Sequence, residues 1–408
     1  MTQIDSITSD NQRVLSGMRP TGNLHLGHYH GVIKNWLDLQ DQFDCYFFVA
    51  DWHALTTHYA DPKVISDSIW DMVVDWLAAG VNPKLSTIFI QSRIPEHAEL
   101  HLLLSMITPL SWLERIPSYK DQQEKLKEKD LSTYGFLGYP LLQSADILMY
   151  KAGQVPVGED QVAHVELTRE VARRFNHLYG REEDFEKKSE LAIKKMGKKQ
   201  AKLFKRYQVA WQQKGDKEAL NTAKALLQNQ SNITLGDKDR LCGYIEGGGA
   251  IILPEPVPRL TASSKMPGLD GEKMSKSYGN TISLRGNIDD IAIKVRRMPT
   301  DPARVRLTDA GDPQKCPVWK FHLVYSDKAK QEWVKAGCTS AGIGCIDCKE
   351  PIIEAISAEL KPIQNEIKRY QEQPELVRSI IAEGSEKARD IARQTLDDVK
   401  RYMALNYR

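Results

Sequence analysis

Short apolar runs alternate with helical patterns along the first half of the chain, and this alternation most constrains the fold. Residues 44–50 and 87–90 are continuous apolar runs typical of strands buried on both faces, and 13–16 is a shorter strand pattern that leads into a turn. The predicted fold class is α/β, a doubly wound parallel sheet that binds ligand at the carboxyl ends of its strands. The helical patterns that separate or follow these runs are 63–79, 96–107 and 162–175.

Two short motifs stand far apart in the chain. The histidine motif, His25-Leu26-Gly27-His28, follows the first predicted strand, and the lysine motif, Lys273-Met274-Ser275-Lys276-Ser277, lies far downstream. A small Gly27 would let an adenine ring lie against the backbone, while the imidazoles of His25 and His28 donate to phosphates. Lys273 and Lys276 would neutralise the charge that develops on a departing pyrophosphate. Either motif alone is weak evidence, but together they predict activation of a carboxylate with ATP.

Composition limits the remaining possibilities. A chain of 408 residues is long enough for two domains and an insertion. The net charge of +2 means that a nucleic acid would have to be bound by a local basic patch. Residues 1–13 lack the apolar region of a signal peptide, and no apolar stretch is long enough to cross a bilayer. We therefore expect a cytoplasmic protein without a membrane partner, whose cysteines are thiols or metal ligands.

The motif pair resembles the H-I-G-H and K-M-S-K-S signatures of class I aminoacyl-tRNA synthetases, with Leu26 in place of Ile. Further segments resemble the bacterial tryptophanyl-tRNA synthetases, and the resemblance covers nearly everything except 1–11 and a basic insertion. It implies a homodimer that forms tryptophanyl-adenylate from tryptophan and ATP with Mg²⁺, and then charges tRNA(Trp). The segments that carry it are 19–22, 49–56, 95–100, 112–115, 155–161 and 164–170.

The same resemblance implies a set of ATP contacts. His25, His28, Lys273 and Lys276 take the catalytic positions, and a turn before a predicted helix places Asp160 where it could hold ribose hydroxyls. Arg19 departs from many family members, which have Gln there. The implied ATP-binding residues are Arg19, Pro20, Thr21, Gly27, His28, Gly158, Glu159, Asp160, Lys273, Met274, Ser275, Lys276 and Ser277.

A candidate amino-acid pocket lies in a predicted helix that begins near residue 141. Gln143 and Asp146 are three positions apart on one face, and a buried carboxylate there could accept a hydrogen bond from a ring N–H or O–H. The resemblance implies that Asp146 takes the indole N–H and that Tyr139 and Gln161 lie near the substrate amino group. We also place His53 in this pocket. Many family members have Met at position 143, and a Gln–Asp pair resembles the tyrosyl enzymes, so tyrosine specificity is the alternative.

Four cysteines form a second constellation near the start of the helical region. Cys316, Cys338, Cys345 and Cys348 have the spacing C-x21-C-x6-C-x2-C, and four thiolates can hold one cluster or one tetrahedral metal ion. Some tryptophanyl-tRNA synthetases carry a [4Fe–4S] cluster on nearly this spacing. The resemblance therefore favours a [4Fe–4S] cluster that braces the neighbouring domain, with zinc as the alternative.

We predict four segments. Residues 1–181 would form the first part of a Rossmann-like catalytic domain, 182–248 a basic and mostly helical insertion, and 249–284 the return of the catalytic domain with a strand at 251–253. Residues 285–408 would form a helical anticodon-recognition domain with an apolar stripe through Ile353 to Ile367. The lysines and arginines of 194–224 are either a solvated face or a tRNA-facing patch, and the same two readings hold for the cluster at 294–306.

Two other classes of function fit part of the pattern. Cofactor-pathway adenylyltransferases also use an H-x-G-H motif on a doubly wound sheet, but they have little use for a large helical second domain. A synthetase-like protein with a non-catalytic role could instead keep the cysteine site as its functional centre. Intact His25, His28, Lys273 and Lys276 argue against this second alternative.

Overall fold

The computed structural model describes residues 13–117, 132–181, 184–260 and 266–407. The chain divides into two compact units. Unit 1 comprises residues 1–16, 91–260 and 385–408, and unit 2 comprises residues 17–90 and 261–384.

A five-stranded sheet with the order β3-β2-β1-β4-β5 organises the fold. β2 pairs with β3 in parallel from Cys45 opposite Ser86 to Val49 opposite Ile90, and β4 pairs in parallel with both β1 and β5. This order confirms the predicted doubly wound parallel sheet. The strands are β1 (Arg13–Met18), β2 (Asp44–Val49), β3 (Ser86–Ile90), β4 (Gln154–Val157) and β5 (Val257–Leu260).

The helices of the described residues cover most of the remaining chain, and the C-terminal region is helical as predicted. Helices α1 and α2 are joined by a π-helical turn, Tyr29–Ile33. The helices are α1 (Leu26–His28), α2 (Lys34–Gln40), α3 (Asp51–His58), α4 (Lys63–Ala78), α5 (Glu96–Ser105), α6 (Leu110–Glu114), α7 (Tyr134–Met149), α8 (Val162–Tyr179), α9 (Phe185–Lys195), α10 (Lys198–Lys214), α11 (Lys217–Gln228), α12 (Leu235–Ile245), α13 (Ile288–Arg296), α14 (Pro317–Tyr325), α15 (Lys328–Thr339), α16 (Cys345–Gln371) and α17 (Pro374–Tyr402).

In unit 1, the return from the insertion differs from the prediction. Residues 251–253 are not a strand, and β5 begins only at Val257. The side chain of Asn176 on α8 hydrogen-bonds to the backbone of this segment instead. Its Oδ1 accepts from the N–H groups of Ile252 and Leu253 at 2.9 and 3.0 Å, and its Nδ2 donates to the Leu253 carbonyl at 2.7 Å. A side chain on a helix thus satisfies the groups that a sheet neighbour would otherwise bond.

In unit 2, aromatic packing buries one face of β2. Trp36 on α2 stacks on Phe47 with ring centroids 4.3 Å apart and meets Trp76 on α4 edge to face at 5.0 Å. α16 packs on α4, and the predicted apolar stripe of α16 is buried, which confirms its core role. Among the described residues, no helix has both the length and the apolar character needed to span a bilayer.

Candidate active site

The histidine motif builds the first turn of α1. His25 is the N-cap residue, and its Nδ1 accepts a hydrogen bond from the Gly27 N–H at 3.1 Å. The Nδ1 of His28 accepts from the His25 N–H at 3.3 Å, and the two ring centroids lie 3.8 Å apart. Because a backbone N–H donates to Nδ1 of each ring, a neutral ring carries its proton on Nε2. Each neutral imidazole therefore offers an Nε2–H donor.

Both imidazoles are kept neutral by their surroundings. Burial, followed by the nearby charge of Lys276, lowers the pKa of His25 to about 4. Burial also lowers the pKa of His28 well below its ordinary value, with His25 and Lys276 adding to the effect. Two uncharged donors side by side can bind anionic oxygens without repelling each other.

Gly27 is a position that a larger residue could not occupy without moving its neighbours. A Cβ there would lie 2.8 Å from the His25 ring and 3.3 Å from the Cβ of Met274. The Gly27 N–H also lies 3.3 Å from the Met274 Sδ, and Met274 is buried. The structure therefore brings the histidine motif and the lysine motif into direct contact within unit 2.

A second contact ties the lysine motif to the turn after β1. The Lys276 Nζ donates to the Thr21 carbonyl at 2.9 Å, and the next residue, Gly22, has a φ of +96°, which favours glycine. Burial of the ammonium group lowers the pKa of Lys276, and the Asp75 carboxylate opposes that shift. The side chain of Lys273 is exposed, and the side chain of Ser277 lies outside the described residues.

Asn280 braces the lysine motif, and sequence reasoning missed it. This residue is buried, its Oδ1 accepts from the Ser275 N–H at 2.8 Å, and its Nδ2 donates to Asp270 Oδ1 at 2.8 Å and to the Lys273 carbonyl at 3.2 Å. An Asn that follows a glycine is an ordinary turn signal and gave no indication of this role. One side chain thus holds the first and third residues of the lysine motif.

An ion pair lies close enough to Lys276 for its carboxylate to act on that ammonium group. Arg285 donates through Nε to Asp75 Oδ1 and through Nη1 to Asp71 Oδ1, both at 2.7 Å. Burial raises the pKa of Asp75 to about 6, although the guanidinium of Arg285 opposes the shift. The arrangement supplies a fully buried carboxylate that favours the charged form of Lys276.

In unit 1, Asp146 lies on α7, which begins after the N-cap Thr133, and its side chain is fully buried. Its carboxylate accepts from Gln91 Nε2 at 2.8 and 3.0 Å and lies 2.6 Å from His97 Nδ1. The other ring nitrogen of His97 lies 2.7 Å from the Tyr150 hydroxyl. The predicted carboxylate is therefore oriented by three residues that sequence reasoning did not assign to the site, although 95–100 belongs to one of the matching segments.

The remaining predicted pocket residues are distributed as follows. Gln143 is half-buried on α7, and Tyr139 is buried on the same helix with its ring centroid 5.5 Å from that of His164. Asp160 and Gln161 lie in a 3₁₀ turn, Glu159–Gln161, between β4 and α8, at the carboxyl end of β4. A Cβ at Gly158 would lie 2.8 Å from Asp160 Oδ1, so a larger residue there would displace this exposed carboxylate.

Unit 2 holds the other predicted contacts. His53 is buried on α3, which directly follows β2. Pro20 is buried in the turn after β1, and the Arg19 carbonyl accepts from the Thr21 N–H at 2.9 Å. The chain thus leaves β1 through a turn that presents backbone groups beside the lysine motif.

The four cysteines lie near one another in unit 2. Cys316 directly precedes α14, Cys338 is on α15, and Cys345 and Cys348 are in the first turn of α16. Burial raises the pKa of the Cys348 thiol to about 12, and the other three thiols raise it further by charge repulsion. Among the residues that the structure describes, no three Cys, His, Asp or Glu side chains converge into a metal-ligand set. The thiols are neighbours without forming a closed site.

A buried polar cluster joins the helix of the histidine motif to α16. His30 Nε2 lies 2.9 Å from Glu359 Oε2, Lys34 donates to Glu359 Oε1 at 2.7 Å, and the Tyr325 hydroxyl donates to Glu359 Oε2 at 2.8 Å. Although burial raises it, these partners lower the pKa of Glu359 to about 2. Sequence analysis assigned no site role to His30.

Comparisons with known proteins agree with this geometry. The tryptophan–tRNA ligase of Ralstonia nicotianae is 62% identical over 396 residues, covering 97% of this chain and 99% of that one. The tryptophan–tRNA ligase of Thermotoga maritima is 42% identical over 397 residues, covering 97% of this chain and all of that one. The crystal structure of the Campylobacter jejuni tryptophanyl-tRNA synthetase complexed with ADP and tryptophan superposes with a TM-score of 0.72 at 26% identity, covering 96% of this chain and 99% of that one.

The family match falls on the segments described above. Residues 8–203 and 229–361 match the family described as tRNA synthetases class I (W and Y), so both the histidine motif and the lysine motif lie inside the matched part. The chain therefore belongs to the class I tRNA synthetases of the tryptophan and tyrosine group.

Proposed function

We propose that this chain is a tryptophan–tRNA ligase, which activates tryptophan with ATP and transfers it to tRNA(Trp). The observation that carries the proposal is the contact between the two motifs, in which Gly27 packs on Met274 while Lys276 bonds the turn after β1. The relatives favour tryptophan over the tyrosine alternative, since both of the curated proteins above are tryptophan–tRNA ligases. Membership in a tRNA synthetase family argues against the adenylyltransferase alternative.

The first step needs positioning and charge stabilisation rather than a protein nucleophile. A carboxylate oxygen of tryptophan attacks the α-phosphorus of ATP, which enters with Mg²⁺. A new P–O bond forms as the bond to the α,β-bridging oxygen breaks, and pyrophosphate leaves with the electron pair. His25 and His28 donate from Nε2–H to phosphate oxygens, and Lys273 and Lys276 neutralise charge on the leaving group.

The second step transfers the amino acid. A terminal hydroxyl of tRNA(Trp) attacks the acyl carbon of tryptophanyl-adenylate and loses its proton, and AMP leaves with the electron pair of the broken C–O bond. The mixed anhydride made in the first step supplies the free energy. By the family resemblance, Asp160 holds the ribose hydroxyls of the adenylate during this transfer.

Tryptophan recognition rests on Asp146. Its carboxylate accepts the indole N–H, and the hydrogen bonds from Gln91 and His97 fix the carboxylate before substrate arrives. A buried polar acceptor of this kind penalises ligands that lack a matching donor. By the family resemblance, Tyr139 and Gln161 lie near the substrate amino group, and Gln143 stands beside Asp146 on the same helix.

Pyrophosphate exchange into ATP, measured with each standard amino acid separately, tests the proposal. Exchange confined to tryptophan is the expected result. Exchange with tyrosine would mean that Gln143 and Asp146 bind the phenol hydroxyl of tyrosine. Absence of exchange with every amino acid would reject the synthetase assignment.

We further propose that the four cysteines hold a [4Fe–4S] cluster, with zinc as the alternative metal. The donor set fits, because soft thiolates suit either metal, and Cys316 and Cys345 lie close enough to Cys338 and Cys348 to raise the pKa of both. The group would supply a covalent brace between α14, α15 and α16, and no reaction step passes through it. Iron, sulfide and zinc analysis of the purified protein distinguishes the two metals.

Three wider assignments follow from the family resemblance. Residues 285–408 read the anticodon, the protein is a homodimer, and it acts in the cytoplasm. The first is tested by charging of tRNA(Trp) transcripts with altered anticodons, which should raise the KM for tRNA while tryptophan-dependent exchange stays constant. Sedimentation of the full chain tests the second.

A further inference from the structure

The basic insertion is a small folded body with its own core. Helices α9 to α12 pack around one apolar cluster. The family match skips residues 204–228, which places the second half of α10 and all of α11 outside the part shared with the family. The cluster comprises Ala192, Ile193, Met196, Phe204, Ala223, Leu227, Ile233, Leu241 and Ile245.

One helix of this body, α10, is strongly cationic. It carries six lysine and arginine residues and no acidic residue, and Phe204 is its one buried residue. At 100° per residue, five of the six cations fall on one face about 120° wide, and they span about 12 Å along the helix axis. All five are exposed: Lys198, Lys199, Lys202, Lys205 and Arg206.

These five cations, which we call the α10 face, have no acidic partner among the described residues. Other cations of the insertion do, because Lys195 pairs with Asp237 at 2.9 Å and Lys224 pairs with Glu246. Arg206 contacts only a ring, with its guanidinium 5.3 Å from the centroid of Tyr207. Charges held on a rigid helix without counterions within the protein are available to an external polyanion.

The other basic cluster, 294–306, contrasts with the α10 face. Arg296 pairs with Glu350 at 2.9 Å, and Arg304 is buried and donates to the Ile343 carbonyl at 2.5 Å. Part of that cluster therefore serves the internal structure of unit 2. The two readings left open for 194–224 are thus separable, since within the described part of the chain the α10 face shows no comparable internal bond.

We propose that the α10 face binds the phosphate backbone of RNA, and that the RNA is the tRNA of the proposed reaction. This inference rests on the proposed function for the identity of the RNA. A row of cations on a helix matches the regularly repeated charges of a nucleic-acid strand, and release of counterions from the strand drives such binding. Phosphate contacts of this kind position the RNA without reading its sequence.

The test compares two triple variants. Lys198→Glu/Lys202→Glu/Lys205→Glu reverses charge on the α10 face, while Lys84→Glu/Lys187→Glu/Lys217→Glu makes the same change in net charge at exposed lysines elsewhere. Binding of tRNA(Trp) is measured by fluorescence anisotropy without ATP over a range of salt concentrations. We expect only the first variant to bind tRNA(Trp) at least about tenfold more weakly than the wild type. Its slope of log K against log salt concentration should be shallower by about 2.

Pyrophosphate exchange with tryptophan, which needs no tRNA, should be unchanged in both variants and so reports an intact catalytic fold. Equal tRNA affinities and salt slopes for the two variants would overturn the inference. Tighter wild-type binding to a DNA duplex of equal charge than to tRNA would also overturn it. Absence of exchange in the wild type would reject the proposed function, while the anisotropy comparison would still decide whether the α10 face binds RNA.

Discussion

The histidine–lysine site, formed by the two motifs, and the four-cysteine region lie in the same unit but differ in how complete they are. In the first, backbone N–H groups already hold both imidazoles, and Lys276 already bonds the Thr21 carbonyl. In the second, burial and the charge of neighbouring thiols raise the pKa values of Cys338 and Cys348, and the four thiols do not converge into a ligand set. The chain alone fixes the side chains of the histidine–lysine site, whereas the proposed metal or cluster would have to bring the four thiols together.

Physical chemistry explains the difference. Electrostatic stabilisation of a transition state works best when the donors are fixed beforehand, because no reorganisation is then needed during the reaction. Thiolates repel each other and are expensive to bury, so a cationic metal or cluster is required before four of them can meet. Burial raises the pKa of Cys348 to about 12, which keeps this thiol protonated, and the proposed metal would have to displace that proton.

The largest expected effect is at the histidine–lysine site. Lys276→Ala should lower the rate of tryptophan-dependent pyrophosphate exchange by about 100-fold or more, because it removes a charge that acts only as pyrophosphate forms. Tryptophan affinity, measured by fluorescence quenching, should change little. Lys294→Ala, which removes an exposed lysine from the same unit, is the control. Comparable losses of exchange and of tryptophan binding would contradict the assigned role.

The next largest effect is expected in the four-cysteine region. Cys348→Ser should lower the bound iron, or zinc, by at least about tenfold, because a hydroxyl is a poor replacement for a soft thiolate ligand. Metal analysis after anaerobic purification measures this loss. Cys242→Ser is the matched control, since Cys242 packs against the core of the insertion. Equal metal content in the two variants would remove Cys348 from the ligand set.

The buried polar cluster joins the helical segment that follows the histidine motif to α16, the helix that begins at Cys345. Glu359 on α16 accepts from Lys34 and Tyr325 and lies within hydrogen-bond distance of His30, which belongs to the helical segment that starts at the histidine motif. Sequence reasoning could not find it, because His30, Tyr325 and Glu359 are far apart in the chain and belong to no motif. Only the fold makes them neighbours.

The first three strands and the motif pair were predictable because their signals are local. Continuous apolar runs marked β2 and β3, and the motif pair marked the site in unit 2. The strand predicted at 251–253 was wrong, since periodicity cannot reveal that Asn176 bonds that backbone. Gln91, His97 and Asn280 were missed for the same reason, because each acts through a partner supplied by the tertiary fold.

Substitution of Asn280 should have a smaller effect on the histidine–lysine site. Asn280→Ala leaves the Ser275 N–H and the Lys273 carbonyl without their side-chain partner, so the free energy of unfolding should fall by about 1–3 kcal/mol. The KM for ATP in the exchange reaction should rise as the lysine motif loosens. Urea denaturation and exchange kinetics measure the two effects, and Asn232→Ala, at an exposed site, is the control. Loss of stability with an unchanged KM for ATP would make Asn280 a purely structural residue.

The smallest expected effect is the pH dependence that His25 of the histidine–lysine site gives to the free energy of unfolding. The folded chain lowers the pKa of His25 from its ordinary 6.5 to about 4, so between those values the unfolded chain binds a proton that the folded chain does not. The free energy of unfolding should therefore fall as pH drops through this window, by at most about 1 kcal/mol per pH unit after allowance for solvent screening.

His25→Asn isolates that contribution, because Asn is also a good N-cap and can accept the Gly27 N–H, yet it does not titrate. Urea denaturation at about pH 7 and about pH 5 should show a smaller loss for this variant than for the wild type. His177→Asn, at an exposed position, should behave as the wild type. If His25→Asn lost as much stability as the wild type, the imidazole would not be held neutral, and the distinction between a site prepared by the chain and one completed by its ligand would fail at its first residue.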